Sequence, residues 1–256
     1  MNNKYKSMKL QNLLILLLIL LLILLLILLL IYLFRIYISK QEEDRETFAL
    51  NKPQNHKIIL LGDSIFKNNI YVPENKSVSA LLKKEYGKNN VLVLAMDGAT
   101  IKEMTRQIDI IYPHQKYNNK NTYIFVSFGG NDIIDNFILN KTHVSLEELF
   151  QRYKSNMTYL KNKVPKANIC LTTVYYPQQE SYNREKLIKK WNNKIIYYAK
   201  INNYLILNLH EHLLDKTDFT NKIEPSVKGG KIIVSQINKI INQNQIINQN
   251  QIINQN

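Results

Sequence analysis

Three short runs in this chain combine a hydroxyl, a carboxamide and small residues: Gly62-Asp63-Ser64, Met96-Asp97-Gly98-Ala99 and Gly129-Gly130-Asn131-Asp132. A serine at a strand-to-helix turn can present its hydroxyl for attack, and backbone N–H groups at a glycine, with an Asn side chain, can stabilise an oxyanion. That set of groups does acyl transfer. Each run follows a β-branched segment, and ligands of an open parallel sheet bind beyond the carboxyl ends of its strands. The three runs are therefore expected at one edge of a sheet.

The elements that must position them are legible as alternating patterns. Five candidate strands are Lys57-Ile-Ile-Leu-Leu, Val91-Leu-Val-Leu-Ala, Tyr123-Ile-Phe-Val-Ser, Ile169-Cys-Leu-Thr-Thr-Val and Tyr204-Leu-Ile-Leu-Asn. They are apolar on consecutive positions, as parallel strands covered on both faces are. Helical periodicity appears near 77–86, 100–111, 145–162, 181–202 and 227–239, and Ser145 with Glu148 has the spacing of a capping box. Strand and helix alternation predicts one α/β domain with a parallel sheet, spanning 56–240.

Outside that domain the composition changes. Residues 1–12 are a short tail, and Leu13 to Phe34 is an unbroken apolar run of 22 residues. As a helix it covers roughly 33 Å, enough to cross a hydrocarbon core about 30 Å thick. It lacks the small-residue cleavage site of a signal peptide, so it reads as an uncleaved single-pass anchor. Positive charges flank it evenly (Lys4, Lys6, Lys9; Arg35, Lys40, Arg45), and three sequons, at Asn75, Asn140 and Asn156, tip the expected topology to a lumenal or extracellular body. Residues 35–55 read as a linker. From Ile240 the hexapeptide Ile-Ile-Asn-Gln-Asn-Gln repeats, and residues 241–256 read as a disordered Asn/Gln tail.

Lys and Arg number 34 against 20 Asp and Glu, a net charge of +14. With 45% hydrophobic residues the chain has material for a core, which excludes wholesale disorder. The lone Cys170 excludes an internal disulfide or a cysteine-based zinc cluster. No phosphate-cradling glycine motif is present, and the lysines from Lys186 to Lys200 read as the solvated side of an amphipathic helix, not as a nucleic-acid face.

Taken together, Ile58-Ile-Leu-Leu-Gly-Asp-Ser, Gly98 and Gly129-Gly-Asn-Asp resemble the first three blocks of the SGNH (GDSL) hydrolases. The resemblance covers about 57–240. It implies a flavodoxin-like three-layer α/β/α sandwich, with Ser64 as nucleophile and an oxyanion hole built by the N–H groups of Ser64 and Gly98 and the Asn131 side chain. The implied reaction is ester hydrolysis through an acyl-enzyme, on an ester-bearing lipid or carbohydrate, with neither a metal nor an organic cofactor. Asp63 and Asp132 are expected to fix loops through backbone N–H groups.

The fourth block departs from the family. Where Asp-x-x-His-Pro is usual, this chain reads Asn221-Lys222-Ile223-Glu224-Pro225-Ser226, with Glu224 in the histidine position and Asn221 in the aspartate position. Three accounts follow. Glu224, or nearby Asp218, is the base, which requires burial to raise a carboxylate from its usual pKa near 4. Alternatively His210 or His212, after the fifth strand, serves Ser64. In the third account the site binds its ligand without turnover; an acyltransferase using the same serine is a further alternative. His56, His114 and His143 read as surface histidines.

Overall fold

Alternate residues of each strand point to opposite faces, and the two sets find different partners. In the computed structural model, which describes residues 17–38, 40, 56–112, 114–138, 144–176 and 182–253 (182, 183 and 248–253 by backbone alone), the chain divides into two units at residues 52 and 53. The first holds helix α1, Leu17–Ile38, 22 residues long and apolar enough to cross a membrane. The helix continues past Phe34, so residues 35–38 do not belong to the expected linker. Ile36, Tyr37 and Ile38 extend the apolar run, and Arg35 does not break a helix. The rest of the linker (apart from Lys40), Asn140 and His143 lie outside the described residues.

The second unit contains, in order, β1 (Lys57–Gly62), α2 (Val78–Tyr86), β2 (Val91–Val93), α3 (Ile101–Ile111), β3 (Thr122–Ser127), α4 (Gly130–Ile133), α5 (Leu146–Lys163), β4 (Asn168–Thr172), α6 (Tyr182–Ile201), β5 (Leu205–Leu207), α7 (Leu209–His212), β6 (Phe219–Thr220), β7 (Glu224–Pro225) and α8 (Val227–Ile253). All five expected strands pair in parallel, in the order β2-β1-β3-β4-β5, which is the flavodoxin-like order. Ile59, Leu61, Ile124, Val126, Ile169 and Leu171 pack with α3, α5 and α6. Ile58, Leu60, Tyr123, Phe125 and Cys170 pack with α2 and α8. Three layers result.

On α6, Trp191 and Tyr198 are buried, whereas Tyr197 faces solvent. The Ser145 hydroxyl accepts the Glu148 N–H at 3.1 Å, but the Glu148 carboxylate pairs with Arg152 at 2.7 Å instead of reaching back. A closer approach to a capping box occurs at α3, where the Glu103 carboxylate accepts both the Thr100 N–H at 2.8 Å and its hydroxyl at 2.6 Å.

The largest departure from expectation is at the C-terminus. Residues 241–256 do not form a disordered tail as far as they are described, because α8 runs unbroken to Ile253. No Gly or Pro interrupts the chain after Gly230. Ile241 is fully buried, and the Asn244 amide donates to the Tyr123 hydroxyl at 3.2 Å and to Asn168 at 3.1 Å. Gln245 meets His56, whose other ring nitrogen faces the Asn121 carbonyl at 3.3 Å. His56 is thus buried, not a surface residue, and burial lowers its pKa. His114 is exposed, as expected.

Candidate active site

Strand order reverses at β1, whose neighbours β2 and β3 lie on either side, and such a switch point opens a crevice at the carboxyl end of the sheet. Ser64 follows β1 and Asn131 follows β3. Gly62 closes β1 opposite Ser127 with φ +140°, and any Cβ there would collide with the Ser127 carbonyl oxygen. The Gln107 side chain, from α3, accepts the Gly62 N–H at 2.8 Å and donates to the Gly62 carbonyl at 2.9 Å, so both backbone groups at the strand end are fixed. Asp63, buried, accepts the Ile65 N–H and the Ser127 hydroxyl, each at 3.2 Å. Burial lifts its pKa to about 7, with the nearby Glu224 charge adding to the shift.

Beyond β2, Met96 donates to the Gly62 carbonyl at 3.0 Å, which draws the Asp97-Gly98 turn alongside the serine turn. Gly98 is exposed, with open space where a side chain would be. The third run begins at Gly129, in the left-handed region at φ +111°, where a Cβ would collide with the Trp191 indole. Asn131 then donates through Nδ2 to the Ala99 carbonyl at 2.9 Å, which leaves its second N–H for another acceptor. Asp132 accepts the Ile101 N–H through both oxygens, at 3.2 and 3.1 Å, and so ties the start of α3 to α4. Burial raises its pKa to about 7 as well.

The fourth run folds as a hairpin, with Phe219 opposite Pro225 and Thr220 opposite Glu224. Its turn needs two residues with positive φ, Asn221 at 49° and Lys222 at 68°, and Asn is among the side chains that tolerate this region. The hairpin is held from three sides. Tyr175 donates its hydroxyl to the Ile223 carbonyl, Asn68 donates to the Pro225 carbonyl at 3.0 Å, and the Ser226 N–H reaches the Asp218 carbonyl at 2.8 Å.

This frame delivers Glu224 to Ser64. The Ser64 hydroxyl donates to Glu224 Oε1 at 2.9 Å, and both residues are buried. Glu224 Oε2 has no hydrogen-bond partner among the described residues. Burial raises the Glu224 pKa to about 7; the Ser64 hydrogen bond opposes that rise and the Asp97 charge adds to it. Asp97 in turn accepts the Tyr71 hydroxyl at 2.7 Å.

The other candidate bases are placed elsewhere. Asp218 Oδ2 accepts the N–H groups of Leu214 at 3.1 Å and Asp215 at 2.9 Å, while Oδ1 pairs with Lys228 at 2.8 Å, so this carboxylate anchors the foot of the hairpin. His210 lies 2.9 Å from the Thr173 hydroxyl through Nδ1, and His212 ends α7; neither is brought to Ser64. Gln107, Asn68 and Tyr175 shape the site yet were not among the residues singled out in the sequence. Gln107 alone had a signal, as a polar residue on the apolar face of a helix otherwise lined by Ile101, Met104, Ile108 and Ile111.

The same fold recurs in proteins of known structure, at identities that speak for the fold alone. A member of the lipolytic G-D-S-L family from Veillonella parvula superposes with a TM-score of 0.59 at 15% identity, covering 71% of this chain and 96% of that one. A variant of an acetyl xylan esterase from Geobacillus stearothermophilus gives 0.55 at 20%, covering 73% and 94%. For a putative GDSL-like lipase from Parabacteroides merdae the values are 0.59 and 14%, covering 73% and 98%. No curated protein matches. The sequence model of GDSL-like lipases and acylhydrolases matches residues 60–231, from within β1 to the first turns of α8 and thus across all four runs described above. By that match, over well more than half its length, the chain belongs to the GDSL-like lipase/acylhydrolase family.

Proposed function

We propose that this protein is a membrane-anchored ester hydrolase in which Ser64 and Glu224 form a catalytic dyad. The observation that carries the reading is the 2.9 Å hydrogen bond from the Ser64 hydroxyl to a buried carboxylate whose pKa is raised to about 7. A general base works best with a pKa near the operating pH, and an ordinary glutamate is too weak for that task. Burial supplies the shift that the missing histidine would otherwise make unnecessary.

In this reading Ser64 Oγ attacks the ester carbonyl carbon as its proton passes to Glu224. The developing oxyanion is met by the N–H groups of Ser64 and Gly98 and by the free N–H of Asn131. Collapse expels the alcohol, which takes the proton back from Glu224 and leaves an acyl group on Ser64. Water then repeats the sequence, with Glu224 as base, and releases the acid. The substrate is an ester on a lipid or carbohydrate. Helix α1 holds the enzyme at a membrane, with its catalytic unit on the lumenal or extracellular side.

Hydrolysis of p-nitrophenyl acetate by the full chain in detergent tests the dyad. Ser64→Ala abolishes turnover above background, and the near-isosteric Glu224→Gln lowers kcat/KM by about 10²–10⁴-fold. Equal rates in wild type and Ser64→Ala would show a binding module in place of an enzyme.

A further inference from the structure

Four lysines from three segments line one open groove of about 820 Å³, on the edge of the sheet where β2 ends at Val93. Lys67 comes from the turn after Ser64, Lys83 and Lys84 from α2, and Lys88 from the turn that follows it. One carboxylate, Glu74, shares the groove, and none of these five side chains makes an ion pair among the described residues. Two of the lysines have a local explanation, because Lys83 and Lys84 lie in the last turn of α2, where cations complement the helix dipole. That does not account for Lys67, whose N–H donates to the Ser64 carbonyl at 3.0 Å, nor for Lys88, which lies beyond the helix.

Like charges gathered in a cleft raise its potential and draw counter-ions into it. Four ammonium groups against one carboxylate leave three positive charges without a partner. A phosphate monoester carries about 1.5–2 negative charges near neutrality, so two of them balance the groove. Lysine suits phosphate as a compact point charge. The rest of the wall supplies the amides of Asn69 and Asn75 and the hydroxyl of Ser79, which can bond the hydroxyls of a polyol. No aromatic ring among the described residues lines it, so a nucleobase would find nothing to stack on. The volume lies within the range of small-molecule sites, about 300–1,000 Å³.

We propose that this groove binds a polyol carrying two phosphate groups, either free in solution or as the headgroup of a lipid. The site goes beyond ester hydrolysis and does not depend on the roles of Ser64 and Glu224, neither of which lines it.

The test is isothermal titration of the full chain, in nonionic detergent, with inositol 1,4-bisphosphate. One site per chain is expected, weakening steeply as salt is raised, with no binding of uncharged myo-inositol. Lys84→Glu combined with Lys88→Glu lowers the affinity about tenfold or more. Both residues are exposed, so the core packing is untouched. Lys189→Glu combined with Lys190→Glu makes the same charge change at exposed positions of α6 and leaves the affinity within about twofold. No binding by wild type overturns the site, and so does an equal loss in the two double variants, which would report net charge alone. Amine acylation of the chain in phosphatidylcholine nanodiscs then separates the two sources. Protection of Lys84 and Lys88 on adding phosphatidylinositol 4-phosphate assigns a lipid headgroup, protection by inositol 1,4-bisphosphate but not by the lipid assigns a soluble ligand, and protection by neither overturns the site.

Discussion

Glu224 Oε1 accepts the hydroxyl of Ser64 at 2.9 Å, across 160 positions of sequence, and the carboxylate that does so is buried and raised to about pKa 7. A glutamate can therefore stand where this family usually keeps a histidine and still be half-deprotonated near neutrality. Its raised pKa is a property of the fold, and each source of it can be tested separately.

The pH dependence of kcat/KM is the first consequence. Glu224 must be deprotonated to act as base, so kcat/KM is expected to rise with pH along a single limb centred near 7. The Asp97 charge is one cause of the raised value, and removing it favours ionisation of Glu224. Asp97→Asn therefore moves the limb to lower pH. A limb unmoved in Asp97→Asn and centred near 4.5 would show that burial does not act on this carboxylate as described.

Stability follows the same linkage with the opposite apparent benefit. The folded state holds Glu224 protonated up to about pH 7, whereas an unfolded glutamate releases its proton near its ordinary value of 4.5. Between those values the native state binds more protons, so this contribution to stability is complete below about pH 4.5 and is lost as pH rises through 7. Glu224→Gln cannot ionise and escapes that loss. Denaturant titrations should find the variant and wild type similar at pH 4.5, and the variant more stable at pH 8 by on the order of 2 kcal/mol. A wild type that gains on the variant with rising pH contradicts the burial argument.

Gln107 gives a prediction of a different kind, because it touches neither Ser64 nor Glu224 in any hydrogen bond among the described residues. Its amide bonds both backbone groups of Gly62, two residues before Ser64. Gln107→Ala leaves the Gly62 N–H unpaired, at a cost of about 1–3 kcal/mol, and leaves the Gly62 carbonyl with the Met96 N–H alone. Both thermal stability and kcat are expected to fall. Gln107→Glu keeps an acceptor for the N–H and loses the donor to the carbonyl, so it should fall between the two. Stability unchanged in Gln107→Ala would show that the strand end needs no such clamp.

Asn68 is the corresponding clamp on the hairpin of Glu224. It donates to the Pro225 carbonyl at 3.0 Å and accepts the Val78 N–H at 2.9 Å, so it ties the strand carrying Glu224 to the start of α2. Asn68→Ala should lower kcat more than it raises KM, since the proposed Ser64–Glu224 dyad acts in the chemical step and not in binding. A change confined to KM would place Asn68 in substrate binding instead.

Much of this was readable from the chain. Consecutive apolar residues announced β1, β3 and β4 because both faces of a parallel sheet are covered, and the motif residues Ser64, Gly98 and Asn131 sit after the strands that position them. The C-terminal helix was not readable. Asn and Gln repeats carry no amphipathic period, and what extends α8 is tertiary: burial of Ile241 and the bonds from Asn244 to Tyr123 and Asn168. Nor could Asn68 be told from the many other asparagines, because its role depends on two groups brought to it by distant segments. That Glu224 and not Asp218 meets Ser64 was equally hidden, since both are acidic and close in sequence; only the hairpin turns one towards Ser64 and leaves the other on Lys228.

The most direct test of the dyad is labelling of the folded full chain with a fluorophosphonate, which reports an activated serine without choosing a substrate. Wild type should label at a rate that rises through about pH 7, Ser64→Ala should not label, and Glu224→Gln should label at least about a hundredfold more slowly with no limb in that range. Labelling of Glu224→Gln at the wild-type rate would contradict the account, because the serine would then be activated by a group other than the carboxylate it touches.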